Sequence, residues 1–124
     1  ISALYMLAGF IYLTSYLESL PFVKILFFGA IMSTVLAALI SFFWKISLHM
    51  ISMGGMLGII LASHYFYTEM YLAIICLTLV SIVLAIARIK EKAHSSSQII
   101  AGFILGFFVQ VFLLFNYLNI TLII

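Results

Sequence analysis

Long apolar runs, broken only by a few polar or helix-stopping residues, constrain the fold of this sequence more than any other feature. Of its 124 residues, 68% are hydrophobic and only 6% are charged, and the mean hydropathy is +1.43. A soluble domain normally carries about 25% charged residues. This composition excludes a soluble domain and indicates an integral membrane protein.

The polar interruptions divide the chain into five apolar pieces, and a helix needs about 20 such residues to span the hydrocarbon. The pieces are apolar on every side, whereas strands of a membrane barrel alternate polar and apolar residues. We therefore predict an all-α fold, a polytopic membrane bundle of five transmembrane helices that forms one domain over residues 1–124. Their predicted ranges are 1–17, 21–43, 47–65, 70–89 and 97–118. Candidate N-caps for the fifth helix are Ser95, Ser96 and Ser97.

The order of crossings predicts which polar residues share one side of the membrane. The ends of helices two and four lie on the same side as the starts of helices three and five, and this side carries Lys45, His49, Arg88 and His94. The opposite side carries Glu18, Lys24, His64 and Glu69, with an aromatic belt of Tyr16, Tyr65, Tyr67 and Tyr71. The first set is the better candidate for an anion site, because four of the chain's eight charged side chains fall in the connection 88–98.

Small residues repeat at every fourth position on two helices and predict that these helices pack together. The pairs are Gly54 with Gly58 on helix three and Gly102 with Gly106 on helix five. Two polar residues of helix five, Gln110 and Asn116, are predicted to make hydrogen bonds to other helices.

The spacing Arg88, five residues, His94, three residues, Gln98 resembles the third signature of the type 2 phosphatidic acid phosphatase superfamily. That signature reads Ser-Arg, five residues, His, three residues, Asp. The Arg and the His match at the right spacing, while Ala87 stands for the Ser and Gln98 for the Asp. The resemblance implies a core of six membrane helices, with a sixth helix upstream of Ile1, so we expect the domain to be incomplete at its N-terminus.

A second segment, Ser47-Leu48-His49, resembles the family's second signature, Pro-Ser-Gly-His, which opens a membrane helix. Ile46 replaces the Pro and Leu48 replaces the Gly. The first signature, Lys, six residues, Arg-Pro, is absent, and Lys45 is interpreted as a remnant of that basic set.

The resemblance implies hydrolysis of a phosphomonoester or pyrophosphate headgroup without a metal or cofactor. His94 would be the nucleophile that forms a phosphohistidine, and His49 the general acid for the departing alcohol. Arg88 would hold two phosphate oxygens, with Ser47 and Lys45 adding contacts. The N-terminus of helix five adds partial positive charge.

Gln98 is the departure that leaves the function open. In the family the terminal Asp accepts the second ring N–H of the nucleophilic His and stabilises its charge, and a Gln can do only the first. One hypothesis is a lipid-phosphate phosphatase acting on an anionic phospholipid or isoprenoid phosphate. The alternative is a non-catalytic relative that binds lipid or serves as an accessory subunit, with partners held by the glycine-spaced helices. Nucleic acid is excluded as a partner by the lack of a basic surface.

The same polar residues also have simpler interpretations. His49 and His94 can be ordinary interfacial histidines, and Arg88, Lys90 and Lys92 can be anchors at headgroup depth. The positive-inside rule would place this side in the cytoplasm, whereas the family places its site on the outer face. Without the site residues the count of cations is nearly balanced, and we follow the family's arrangement, in the bacterial cytoplasmic membrane.

Overall fold

A computed structural model describes the backbone of residues 2–16, 21–66 and 69–123, which form five α-helices. These are α1 (Ser2–Tyr16), α2 (Pro21–Ser41), α3 (Leu48–Phe66), α4 (Tyr71–Lys90) and α5 (Ser96–Ile123). The all-α class is confirmed, and every predicted boundary lies within two residues of the observed one except the end of α5. That helix continues past residue 118, and the Thr121 hydroxyl donates within it to the Tyr117 and Leu118 carbonyl oxygens at 3.1 and 2.9 Å.

Four of the described helices are long and apolar enough to cross a membrane, and they make the chain an integral membrane protein. They are α2, α3, α4 and α5, of 21, 19, 20 and 28 residues. The prediction of five membrane-spanning helices is wrong for the described residues. The 15 residues of α1 extend about 22 Å at 1.5 Å per residue, which is short of a hydrocarbon core of about 30 Å.

The centre of the bundle is the contact between α3 and α5, its most extensive helix pair. A Cβ atom added at Gly54 would overlap the Phe103 carbonyl oxygen, and one added at Gly106 would overlap the Ile51 carbonyl oxygen. Such an atom at Gly58 would lie 2.8 Å from the Phe107 carbonyl oxygen, and at Gly102 2.7 Å from that of Ser47. The predicted packing of α3 on α5 through these glycines is confirmed, because only hydrogen fits where the backbones touch.

The remaining helices surround this pair. α2 packs on α5, α4 on α3, and α1 on α2. One buried cluster contains Ala37, Ile46 and Ile51, and a second contains Ala62, Leu114 and Leu118.

The two polar residues of α5 differ in their partners. Gln110 Nε2 donates to the Leu26 carbonyl oxygen of α2 at 3.3 Å, which confirms the predicted bond between helices. The same prediction is wrong for Asn116, whose Nδ2 donates to the Phe112 carbonyl oxygen one turn earlier in α5 at 2.6 Å. Asn116 is exposed on the outside of the bundle, so only its own helix offers an acceptor.

On the side opposite the candidate site, His64 joins α3 to α4. Its Nδ1 accepts the Met70 backbone N–H at 2.9 Å, and its ring meets Tyr71 edge-on with centroids 4.6 Å apart. His64 therefore has a structural role at the start of α4. Glu18 and Tyr67, predicted for this side, lie outside the described residues, as does the side chain of Tyr16.

Candidate anion site

The site is built where the first turn of α3 meets the last turn of α4. Arg88 Nη2 lies 3.3 Å from His49 Nδ1, so the predicted proximity of these two residues is confirmed. A guanidinium can only donate hydrogen bonds, and His49 Nδ1 must therefore be the acceptor. In this arrangement the ring proton of His49 is on Nε2.

Arg88 has a second partner, which the sequence analysis missed. Its Nη1 lies 3.3 Å from Glu91 Oε2, an ion pair between residues three apart. The spacing i, i+3 on a helix is the signal that would have revealed it. The Glu91 side chain is 63% exposed, and pairs of this kind contribute only about 0–1 kcal/mol. Glu91 therefore holds the guanidinium only weakly.

The turn after α4 keeps His94 beside this end of the bundle. The Lys92 N–H donates to the Ile89 carbonyl oxygen at 3.0 Å, and the Ala93 N–H to the Arg88 carbonyl oxygen at 3.2 Å. This pair of bonds is a Schellman motif, in which the residue after the helix takes a left-handed conformation. Lys92 does so with a φ of 54°. The chain changes direction at this turn, and His94 is the residue that follows Ala93.

Ser95 and Gln98 close the N-terminus of α5 as a capping box. The Gln98 N–H donates to Ser95 Oγ at 3.4 Å, and Gln98 Oε1 accepts the Ser95 N–H at 3.0 Å. Of the three candidate N-caps, Ser95 is the one used. The bond from His94 to Gln98 that the resemblance implies is not formed, because the amide oxygen is nearer to the backbone N–H that opens its own helix. Gln98 is thus a capping residue in this structure.

Among the described residues, most of the buried polar side-chain atoms that lack a hydrogen-bond partner belong to residues of the predicted site. Four buried side-chain nitrogen or oxygen atoms in the described part of the chain make no hydrogen bond, and three of them belong to the predicted site: Ser47 Oγ, Arg88 Nε and His94 Nδ1. Each such atom costs about 1–3 kcal/mol when it is left unpaired. Their concentration in two short motifs favours a polar ligand at this end of the bundle.

Positive potential is also available at the start of α5. The backbone N–H groups of Ser96 and Ser97 have no acceptor in the described ranges. Free N–H groups at a helix N-terminus attract anions.

The predicted ligands Ser47 and Lys45 differ in where they lie. Ser47 is fully buried, with its carbonyl oxygen directed at Gly102 of α5. Lys45 is exposed, and its ammonium has no partner within the ranges that the structure covers. Ser47 is therefore buried against α5, while Lys45, two residues earlier, is an exposed cation. Those ranges contain no group of three or more His, Cys, Asp or Glu side chains that could hold a metal.

An apolar cavity of about 330 Å³ adjoins the polar residues between α3, α4 and α5. Met50, which follows His49, lines it, and so do Ala85, one turn before Arg88, and Ile99 of α5. Ile100 and Ile104 also line it and are about half exposed at 57% and 48%. The cavity therefore opens towards the lipid-facing surface of α5.

The chain matches no protein-family model, no curated protein and no solved structure. Evidence for the function therefore comes from the chemistry of the residues that this end of the bundle brings together.

Proposed function

We propose that the protein is a membrane-embedded phosphatase that hydrolyses the phosphomonoester or pyrophosphate headgroup of a lipid. The observation that carries the proposal is the group of unpaired buried atoms on Ser47, Arg88 and His94. These are residues of the two motifs that resemble signatures of the phosphatidic acid phosphatase superfamily. A phosphate group supplies the oxygen acceptors that the Arg88 N–H and the Ser47 hydroxyl lack.

The adjoining cavity supports a lipid as the substrate. A phosphate at Arg88 would have its organic part directed at Met50, Ala85 and Ile99, which form an apolar wall. A hydrocarbon chain can lie against such a wall at no cost, whereas a free sugar phosphate would bury polar groups without partners there. The substrate class that fits is an anionic phospholipid or an isoprenoid phosphate in the adjacent leaflet.

The reaction proceeds in two displacements. A ring nitrogen of His94 forms a bond to phosphorus while the bond from phosphorus to the lipid oxygen breaks, and the departing oxygen takes a proton from His49. Water then attacks phosphorus, the bond to His94 breaks, and the proton released by the water returns to His49. Arg88 stabilises the negative charge on the phosphoryl oxygens in both steps.

One observation favours a second candidate, a non-catalytic lipid-binding or accessory subunit. Gln98 Oε1 is engaged with the Ser95 N–H, and His94 Nδ1 has no partner. The positive charge of a phosphohistidine would therefore lack an acceptor. Binding of a lipid phosphate by Arg88 and Ser47 does not need that acceptor.

Phosphate release by the purified full-length protein tests the proposal. The substrates are phosphatidate, phosphatidylglycerol phosphate and undecaprenyl pyrophosphate, and the variant is His94→Ala. The matched control is His64→Gln, which changes a histidine on the opposite side and retains an acceptor for Met70. We expect phosphate release by the parent and by His64→Gln, and none by His94→Ala. Phosphate release that persists in His94→Ala would overturn the phosphohistidine mechanism. No release by any of the three proteins would favour the non-catalytic candidate.

We further propose that the site lies at the outer face of the bacterial cytoplasmic membrane. Support comes from the arrangement of the family that the motifs resemble, because Arg88 as a ligand does not report topology.

A further inference from the structure

A second cavity, of about 200 Å³, lies among α2, α3 and α5, and three hydroxyl-bearing residues line it: Ser33, Thr34 and Ser52. Ser52 lies three residues after His49, near the start of α3. Ser33 lies eight residues before the end of α2, which is about 12 Å along the helix. The cavity therefore extends from near one end of the membrane spans towards their middle.

The hydroxyl group of Ser33 borders this cavity without a partner. The residue is 5% exposed, and its hydroxyl makes no hydrogen bond within the described ranges. It is not among the fully shielded unpaired atoms of the bundle, because it faces the cavity. The other two hydroxyls donate within their own helices, Thr34 Oγ1 to the Ala30 carbonyl oxygen at 2.8 Å and Ser52 Oγ to that of Leu48 at 3.2 Å.

An unpaired hydroxyl in apolar surroundings is destabilising by about 1–3 kcal/mol, and hydrocarbon offers it no partner. The cavity has room for several water molecules, since each takes roughly 30 Å³ and needs two to four polar partners. A first water molecule can accept the proton of Ser33. A second can donate to Ser52 Oγ, whose own proton is used within α3, and neighbouring water molecules supply the remaining bonds.

We propose that this cavity binds a small cluster of water molecules inside the membrane, held by the hydroxyl groups of Ser33 and Ser52. The ligand class that fits the lining is a small neutral molecule that both donates and accepts hydrogen bonds. The cluster carries hydration from the first turns of α3 to about the middle of α2. The proposal rests on the cavity and its hydroxyls and does not depend on the phosphatase activity.

Hydroxyl-radical footprinting by X-ray radiolysis of the full chain in lipid nanodiscs tests the proposal, because radicals formed from bound water oxidise the side chains beside it. The reporter is Met56, which lines the cavity and is 49% exposed. The matched control is Met32 of α2, which is 37% exposed and does not line the cavity. Both lie within membrane spans, so lipid shields them from bulk water. We expect Met56 to be oxidised several times faster than Met32.

Variants of Ser33 connect this oxidation to the hydroxyl group. Ser33→Ala should lower the rate of Met56 oxidation about three- to tenfold, as the loss of one buried hydrogen bond implies. Ser33→Thr keeps a hydroxyl and should retain the fast oxidation. The control Ser63→Ala removes the hydroxyl of another buried serine, which does not line the cavity, and should be oxidised like the parent.

Equal rates of oxidation for Met56 and Met32 in the parent would overturn the proposal, because hydrocarbon would then fill the cavity. An unchanged rate for Met56 in Ser33→Ala would also overturn it, since the Ser33 hydroxyl would not hold the water. The comparison of the two methionines uses the parent protein alone, and it therefore decides the question even where Ser33→Ala fails to fold.

Discussion

Arg88 Nη2 donates to His49 Nδ1 across 3.3 Å and joins the last turn of α4 to the first turn of α3. The two residues are 39 positions apart in the sequence and come from different motifs. Their contact brings the motifs together at one end of the bundle. The segment from Lys92 to Gln98 follows Arg88 closely. It contains the left-handed turn at Lys92, the unpaired Nδ1 of His94, and the capping box of Ser95 and Gln98.

The glycine contacts between α3 and α5 predict a sharp difference between neighbouring positions. Gly54→Ala places a methyl group onto the Phe103 carbonyl oxygen, whereas Gly55→Ala places one at ordinary contact distance, 3.5 Å from Gln110 Cγ. Overpacking of this kind typically costs about 1–3 kcal/mol. We expect a lower thermal unfolding midpoint in detergent for Gly54→Ala and a midpoint close to the parent for Gly55→Ala. Equal midpoints would mean that the two backbones are not in contact.

Lys92 has a left-handed conformation that a side chain disfavours, so the turn after α4 can be stabilised. Lys92→Gly removes the Cβ atom and should raise the free energy of unfolding by about 1 kcal/mol. Lys92→Ala removes the same charge and keeps the Cβ atom, and it serves as the control. The comparison is made by equilibrium unfolding in mixed detergent. A Gly variant no more stable than the Ala variant would show that Lys92 does not adopt this φ.

The capping box predicts that only one of the neighbouring serines matters for stability. Ser95→Ala removes the acceptor for the Gln98 N–H and should lower stability by about 1 kcal/mol. Ser96 is exposed and its side chain makes no hydrogen bond in the described ranges. We therefore expect Ser96→Ala to unfold at the same temperature as the parent. Thermal unfolding of the two variants checks this order, and the reverse order would place the helix start one residue later.

The engagement of Gln98 with the cap predicts how a carboxylate at this position acts. An Asp is one methylene shorter, reaches the Ser95 N–H less well, and can instead accept from the His94 ring and stabilise its charge. We expect Gln98→Asp to raise the rate of phosphate release by a factor between about 10 and 10⁴, the upper value being the effect of the corresponding carboxylate in a serine-protease triad. Gln98→Glu keeps the capping box and serves as the control. Identical rates of phosphate release by the parent, Gln98→Asp and Gln98→Glu would show that residue 98 does not take part in the reaction.

The sequence predicts the parts of this structure that depend on pattern. Apolar runs and their interruptions predict the helix boundaries to within two residues, except at the end of α5, because hydrocarbon thickness and backbone hydrogen bonding leave few choices. Glycines at every fourth position predict the α3–α5 contact, because small residues at that spacing let two helix backbones approach closely. The order of crossings places His49 and Arg88 on one side, and the fold then brings them into contact.

Details that depend on local competition could not be predicted in this way. Gln98 has two possible partners, the His94 ring and the Ser95 N–H, and only the backbone geometry of the turn decides between them. Asn116 bonds within its own helix because its side of α5 is exposed, which the sequence does not specify. Apolar composition alone predicts a membrane span at the short first helix, although its described length falls short.

Binding of a lipid phosphate at Arg88 is the central claim, and equilibrium binding tests it most directly because it does not require turnover. The ligand is a non-hydrolysable phosphonate analogue of phosphatidate, measured with the full chain in nanodiscs of uncharged lipid. The proteins are the parent, Arg88→Ala and the control Lys90→Ala, which removes an exposed cation of the same helix turn. We predict saturable binding by the parent and by Lys90→Ala, and at least about tenfold weaker binding by Arg88→Ala, since a charged hydrogen bond contributes about 1.5–3 kcal/mol. Equal affinities for Arg88→Ala and the parent would contradict the account.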